Sequence, residues 1–259
     1  MPSSLPHGQD GSVTGTEHAF DYSNLSDRPP GPFVTLAAHL LPGVREVQRQ
    51  IEPYALAWQR SNRDTLAEAA ADPDDPTERR PLWVALGDSM TVGVGASRYD
   101  RGWVGQLAGS LRAPDGRPYR VVNLATSGAR VSDVVRRQLP ALHEVADQAG
   151  PVALVTVLIG SNDLIRKRYR QDLPAHFATM LDRLPSGAVV ASLPQPRAAA
   201  RAANDELRRA APRGVVLAEM RSPHTASWRG RLAADHFHPN DAGYAGLAAV
   251  FKDAIEGAA

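Results

Sequence analysis

Three residues of the chain have side chains that together could carry out acyl transfer. Ser89 stands in the stretch 87–91, Gly-Asp-Ser-Met-Thr, and Asp235 and His238 stand three positions apart near the C-terminus. A serine hydroxyl is a poor nucleophile until a base removes its proton. The spacing allows Asp235 to accept a hydrogen bond from one ring nitrogen of His238, while the other nitrogen faces Ser89. The pattern favours nucleophilic catalysis by a Ser-His-Asp triad.

Acyl transfer also needs hydrogen-bond donors for the negative charge that develops on the carbonyl oxygen. The stretch 123–128, Asn-Leu-Ala-Thr-Ser-Gly, ends in Gly128, whose amide a substrate can approach without side-chain hindrance. The stretch 160–163, Gly-Ser-Asn-Asp, contains Asn162, whose side-chain amide can donate. The backbone amide of Ser89 is the third expected donor.

The elements that must position these residues follow from the hydrophobic pattern after Leu82. Short apolar runs, typical of buried strands, alternate with stretches whose apolar residues have helical spacing. Such alternation predicts a parallel sheet with helices on both sides, and sites in these folds lie at the carboxyl ends of the strands. The serine and both donor stretches follow predicted strands directly. Strands are predicted at 82–86, 119–124, 152–159, 188–193 and 215–218, and helices at 103–111, 131–149, 177–184, 198–211 and 241–255.

The stretches 87–91, 123–128, 160–163 and 235–239 resemble the sequence blocks of the SGNH hydrolases, also called the GDSL lipase/esterase family. They occur in the same order and with a similar spread along the chain. Met90 stands where that family usually has leucine, and the fourth block is matched by the stretch 235–239, Asp-His-Phe-His-Pro. The resemblance covers roughly residues 82–257. It implies a flavodoxin-like three-layer α/β/α sandwich with a central parallel sheet of about five strands.

The same resemblance implies a role for each matching residue. Ser89 would be the nucleophile, His238 the base and Asp235 the residue that orients it. Gly128, Asn162 and the Ser89 amide would form the oxyanion hole. The family chemistry requires no metal and no cofactor, so none is expected. His236 and its neighbours could be considered as metal ligands, but the sequence has no second cluster of His, Asp or Glu at a spacing that would complete a metal site.

The first 81 residues lie outside the resemblance. Residues 1–32 are polar and rich in Pro, Gly and Ser, which predicts a disordered tail; residues 33–71 predict a helical extension, 72–81 a linker, and 82–259 the hydrolase domain. Between residues 44 and 58 of the extension, apolar residues recur at steps of three and four, so they share one face of a helix. Packing of this face on the main domain is the leading interpretation. A homodimer contact, a lid or a membrane-surface helix are the alternatives.

Composition excludes several classes of protein. The chain has 259 residues, 29 basic against 28 acidic residues and a net charge of +1, so nothing indicates a nucleic-acid partner. It has no cysteine, which excludes thiolate sites and disulfides. The apolar stretch at 33–41 is too short to span a membrane, because a spanning helix needs about 20 residues. Without a recognisable secretory signal a cytoplasmic location is the default, with non-standard export left open.

The sequence therefore predicts a serine esterase that acts on carboxylic esters of lipids, thioesters or O-acetylated sugars. An acyltransferase, in which an alcohol replaces water and the same residues act, is the alternative within the same chemistry. A degenerate domain that serves only as an interaction protein is the alternative outside it. The basic run 166–170, Arg-Lys-Arg-Tyr-Arg, is either a solvated helix start or a charged substrate mouth in which Arg166 and Arg168 attract an anionic substrate.

Overall fold

The fold is built on a central parallel sheet. The computed structural model describes residues 20–29, 31–71 and 79–258. Within them, five parallel strands are ordered β2-β1-β3-β4-β5 across the sheet, the order of flavodoxin-like folds. The predicted fold class is confirmed. The strands are β1 Leu82–Gly87, β2 Arg120–Asn123, β3 Val152–Leu158, β4 Val189–Ala191 and β5 Val216–Ala218.

Helices cover both faces of the sheet. The helices are α1 Pro32–Leu40, α2 Pro42–Gln48, α3 Ile51–Ala71, α4 Ser89–Val92, α5 Trp103–Ser110, α6 Val131–Asp133, α7 Leu139–Ala149, α8 Ser161–Ile165, α9 Lys167–Arg183, α10 Ala198–Ala210 and α11 Asp241–Glu256. A wide turn of π-helix, Val134–Gln138, joins α6 to α7.

Strand β1 shows how the sequence builds two cores. Its six residues are all buried, and successive side chains point to opposite faces. Val84 packs in the core under α7, α9 and α10, whereas Trp83 and Ala85 pack in the core under α5 and α11. A continuous apolar run is therefore what a central strand with helices on both sides requires.

The apolar face of residues 44–58 packs on the domain itself. Val47, Ala55 and Trp58 are buried. The Trp58 indole donates to the carbonyl oxygen of Val92 at 2.9 Å, which ties α3 to the end of α4. These residues of the face therefore contact their own chain, and the homodimer contact considered from the sequence stays a prediction.

Part of the expected tail differs from the prediction. Of residues 1–32, residues 1–19 and 30 lie outside the described residues, as do residues 72–78 of the expected linker. Residues 20–29, however, lie against the domain, and Asn24 is fully buried. The reason is that its polar side chain meets free backbone groups at the end of β2, which hydropathy alone does not reveal.

Within the described part of the chain, no helix combines the length and the apolar character needed to cross a membrane.

Candidate active site

Ser89 is the first residue of the short helix α4, directly after β1. Asp88 precedes it as the N-cap, and its Oδ1 accepts from the Met90 amide at 3.0 Å. Gly87 makes the tight turn between strand and helix: its φ is +157°, and a Cβ there would collide with the Leu158 carbonyl oxygen and the Thr91 side chain. The turn carries Ser89 to the carboxyl edge of the sheet, as predicted.

The loop before α11 brings His238 and Asp235 to the same place. His238 Nε2 lies 2.9 Å from Ser89 Oγ, and His238 Nδ1 lies 2.6 Å from Asp235 Oδ2. The backbone amides of Phe237 and His238 both donate to Asp235 Oδ1 at 3.0 Å. The three side chains of the expected triad therefore form one connected chain of hydrogen bonds.

Asp235 is held in its charged form. Burial acts to raise the pKa of Asp235, but the hydrogen bond from His238, the charge of that ring and the two backbone amides together lower it below its ordinary value. An ionised carboxylate here can fix the tautomer of His238 and stabilise the imidazolium formed when that ring takes a proton.

Two of the three expected oxyanion donors are backbone amides. Gly128 lies exposed in the loop after β2 with φ +77°, and nothing lies within 4 Å of where a Cβ would be. Ser89 occupies the first position of a helix, where the amide has no intrahelical acceptor. Among the described residues, neither amide has a hydrogen-bond acceptor. Both remain available to a bound oxygen.

Asn162, the third expected donor, is engaged with the protein. Its Nδ2 donates to the carbonyl oxygen of Ala129 at 2.9 Å and to Asp88 Oδ2 at 3.2 Å. The second contact is the longer and therefore the weaker of the two. A substrate oxygen would have to take the place of Asp88 as the acceptor of this hydrogen, or share the hydrogen with Asp88.

Two buried carboxylates lie beneath this edge of the sheet. Asp88 also accepts from Ser161 Oγ at 2.8 Å, and burial raises its pKa. Burial, reinforced by the charge of Asp88, raises the pKa of Asp163 to about 7, although the Val131 amide and Arg130 oppose this shift. The Asp163 carboxyl is 2% exposed and accepts from Val131 N at 3.2 Å. Both carboxyls hold the loops that carry the expected donors.

An asparagine network that the sequence did not predict holds the end of β2. Asn24 Nδ2 donates to the carbonyl oxygens of Asn123 and Ala125 at 2.8 and 2.9 Å. Asn62 exchanges two hydrogen bonds of 2.8 Å with the backbone of Asn123. The Asn123 side chain donates to the Thr91 carbonyl oxygen at 2.9 Å. The network joins the N-terminal segment to the loop that carries Gly128 and to helix α4, which carries Ser89, and isolated asparagines carry no motif that could have revealed it.

The basic run begins helix α9. Arg166, Lys167 and Arg168 are exposed. Arg168 bonds the Tyr169 hydroxyl, and the guanidinium groups of Arg130 and Arg168 lie 3.9 and 4.5 Å from the centre of the Tyr169 ring. The structure shows no contact between Arg166 or Arg168 and the triad, so their role toward a substrate stays a prediction.

A mainly apolar cavity of about 230 Å³ adjoins the triad. Its lining includes the two sequence neighbours of Ser89, which are Asp88 and Met90. It also includes the two sequence neighbours of His238, which are Phe237 and Pro239. The sequence did not single out this cavity, because its walls come from the ends of the four strands β1, β3, β4 and β5, from α11 and from the loop before it. The remaining apolar lining comes from Leu158, Ile159, Leu193, Pro194, Met220, Trp228, Leu232 and Leu247.

Over the described residues, no group of three or more His, Asp or Glu side chains is arranged to hold a metal ion. His238 is hydrogen-bonded to both Asp235 and Ser89.

Comparison with known proteins agrees with the fold and the motifs. Residues 85–245 match the model of the GDSL-like Lipase/Acylhydrolase family. The lipase Lip_vut3 from a goat rumen metagenome is similar in structure at a TM-score of 0.50 and 18% identity, over 67% of this chain and 97% of that one. The psychrotrophic esterase EstA from Pseudoalteromonas sp. gives 0.50 and 16%, over 68% and 97%. A two-domain esterase active on acetylated mannans gives 0.51 and 15%, over 76% and 53%. At these identities the likeness concerns the fold. No curated protein matches the chain.

Proposed function

The chain belongs to the GDSL-like lipase/acylhydrolase family, and on that premise we propose that it is a serine esterase whose triad is Ser89, His238 and Asp235. The observation that carries the proposal is the hydrogen-bonded chain from Asp235 through His238 to Ser89, with distances of 2.6 and 2.9 Å. A nucleophile within reach of a base that a third group orients is the arrangement that activates a serine.

In the first step Ser89 Oγ bonds to the acyl carbon while its proton passes to His238 Nε2. The electron pair of the carbonyl moves to its oxygen, which becomes an oxyanion. When that intermediate collapses, the bond to the alcohol oxygen breaks and His238 returns the proton to the leaving alcohol. Water then repeats the sequence on the acyl-enzyme, which releases the acid and free Ser89.

The oxyanion is proposed to bind the amides of Gly128 and Ser89, which have no acceptor among the described residues. Asn162 would add a third donor when its 3.2 Å contact with Asp88 gives way. Donors of this kind are worth about 10²–10³-fold in kcat each, because they are already oriented when the charge develops.

The cavity beside the triad supports an apolar group in the substrate. Its position between the neighbours of Ser89 and those of His238 favours the acyl chain of a lipid-type ester over a bare acetyl group. The cavity volume is about 230 Å³. A water molecule in the liquid takes up about 30 Å³, so the cavity has room for about eight groups of that size, which corresponds to a short or medium acyl chain. The basic residues Arg166 and Arg168 would draw anionic esters toward the mouth. The expected cytoplasmic location stays a prediction.

The proposal is tested with p-nitrophenyl esters from acetate to palmitate, assayed with and without an added alcohol. We expect turnover that depends on chain length and gives the free acid as the main product. If the acyl group appeared mainly on the alcohol, the same residues would serve an acyltransferase. If no ester were turned over in either assay, the esterase proposal would be rejected in favour of a binding role.

A further inference from the structure

The N-terminal segment frames the mouth of the site. Asn24 is bonded at the end of β2, and the backbone of Gly31 lies beside Arg166, where an added Cβ would be 2.9 Å from the guanidinium. Gly43 is packed directly on Ala234, the residue before Asp235. Helix α1 therefore connects the side of the site that carries Asn162 to the side that carries the histidine loop.

Apolar side chains are exposed on α1 and on the segments that carry Asn162 and the histidine loop. Leu36 and Leu40 lie on α1 and are 57% and 69% exposed. Ile165 ends the helix that carries Asn162, and Phe237 and Trp228 line the cavity beside the triad. Among the residues whose side chains the structure describes, the exposed large hydrophobic ones are Leu36, Leu40, Leu41, Ile165, Trp228 and Phe237. We name this set the apolar rim.

Positive charge adjoins the apolar rim. Ile165 is followed directly by Arg166, Lys167 and Arg168, all exposed. Helix α1 contains no acidic residue. Exposed apolar side chains beside a basic cluster suit the boundary between the headgroups and acyl chains of an anionic lipid surface, since the two kinds of side chain contribute independently to binding.

We propose that the apolar rim and the residues Arg166–Arg168 form a docking face for an anionic lipid surface, from which the ester substrate enters the site. This inference rests on the proposed function, because it names the physical state in which that substrate is presented. A second copy of the chain fits the face less well: a two-fold interface pairs a patch with itself and would bring two basic clusters together.

The experiment is flotation of the full chain with phosphatidylcholine vesicles, with and without phosphatidylglycerol. We expect binding to the anionic vesicles that weakens in about 0.5 M salt, where charges are screened. The double variant Leu36→Ser with Leu40→Ser should bind about tenfold more weakly or worse, and so should Arg166→Glu with Lys167→Glu. The matched control is Arg208→Glu with Arg209→Glu, exposed arginines in the last turn of α10, which leads to the amino end of β5 rather than away from the carboxyl end of a strand. It should bind like the wild type.

No binding of the wild type to anionic vesicles would overturn the inference. So would wild-type binding by both double variants, Leu36→Ser with Leu40→Ser and Arg166→Glu with Lys167→Glu. Weakening of binding by the control pair to the same extent as by these variants would overturn it too. A dimer in size-exclusion chromatography that the leucine variant dissociates would also overturn it, since the face would then be a contact between copies. Circular dichroism shows whether each variant is folded. Flotation needs no turnover and can be repeated with Ser89→Ala, so loss of docking and loss of the esterase proposal are separate outcomes.

Discussion

His238 Nε2 lies 2.9 Å from Ser89 Oγ, although the two residues are 149 positions apart in the chain. The contact exists because β1 ends two residues before Ser89, at Gly87, and the loop before α11 returns to the same edge of the sheet. Both residues are largely buried, at 6% and 8% exposure, so the hydrogen bond forms in surroundings where water competes little for it.

Replacing Asp235 tests whether the histidine must be oriented. We expect Asp235→Asn to lower kcat by roughly 10³–10⁴-fold, because an amide can stabilise the wrong tautomer of His238 and cannot stabilise its charged form. The chain offers a matched control: Asp253 bonds His224 at 2.8 Å on the surface. Steady-state kinetics should show little change for Asp253→Asn. Equal effects of the two variants would contradict the assigned role of Asp235.

The asparagine network gives an expectation for a residue outside the family match. Asn24→Ala removes three hydrogen bonds made by a fully buried side chain and leaves backbone carbonyls at the end of β2 with fewer donors. We expect a loss of about 1–3 kcal/mol of stability and a lower kcat, because the loop that carries Gly128 is less firmly held. Thermal unfolding and kinetics measure the two effects. The control is Ser26→Ala in the same segment, whose hydroxyl bonds only local, exposed backbone.

Comparison of sequence and structure shows which kinds of signal a sequence carries. Strand β1 was predicted to within one residue, because a continuous apolar run between a charged linker and a glycine has few other interpretations. The proximity of Ser89, His238 and Asp235 could be predicted because each residue occupies a short motif at a strand or helix boundary. Helix α9, in contrast, begins at Lys167 rather than at residue 177, since its first turns are basic and carry no apolar periodicity.

The packing of residues 20–29 could not be predicted for a related reason. This segment is held in part by hydrogen bonds of Asn24 and Tyr22 to backbone carbonyls at the end of β2 and just beyond it, and such pairing depends on the folded geometry rather than on composition. The cavity also escaped prediction, because its lining residues come together only when the strand ends and the last loop are in place.

Asp163 gives an expectation for the pH dependence of stability. Its pKa is raised to about 7, mainly by burial, against about 3.9 for an unfolded aspartate. Between these values the folded chain binds more protons than the unfolded chain, so this residue makes the free energy of unfolding fall as pH rises from about 4 to 7. At about 1.4 kcal/mol per unit, the loss amounts to a few kcal/mol.

Asp163→Asn should remove this contribution, because asparagine does not titrate. We therefore expect the stability of the variant relative to the wild type to improve between pH 5 and pH 8 in chemical denaturation. A difference between the two proteins that stays constant across this range would contradict the raised pKa of Asp163.

The cavity gives an expectation for chain-length preference. Leu232 lines it and is partly exposed, so Leu232→Trp should narrow the cavity without overfilling a closed core. We expect kcat/KM for p-nitrophenyl octanoate to fall by about tenfold relative to the acetate, since the longer chain loses its apolar surroundings. Leu184→Trp is the control, a partly buried leucine at the end of α9, away from the cavity. An unchanged preference in Leu232→Trp would assign the acyl chain to another part of the surface.

Labelling with a p-nitrophenyl phosphonate tests whether Ser89 is the nucleophile. Such a reagent phosphonylates an activated serine and releases p-nitrophenolate, and peptide mass spectrometry locates the label. We expect one label per chain on Ser89, no label and no esterase turnover in Ser89→Ala, and normal labelling in the exposed control Ser110→Ala. Label on a different serine, or esterase turnover that survives in Ser89→Ala, would contradict the mechanism.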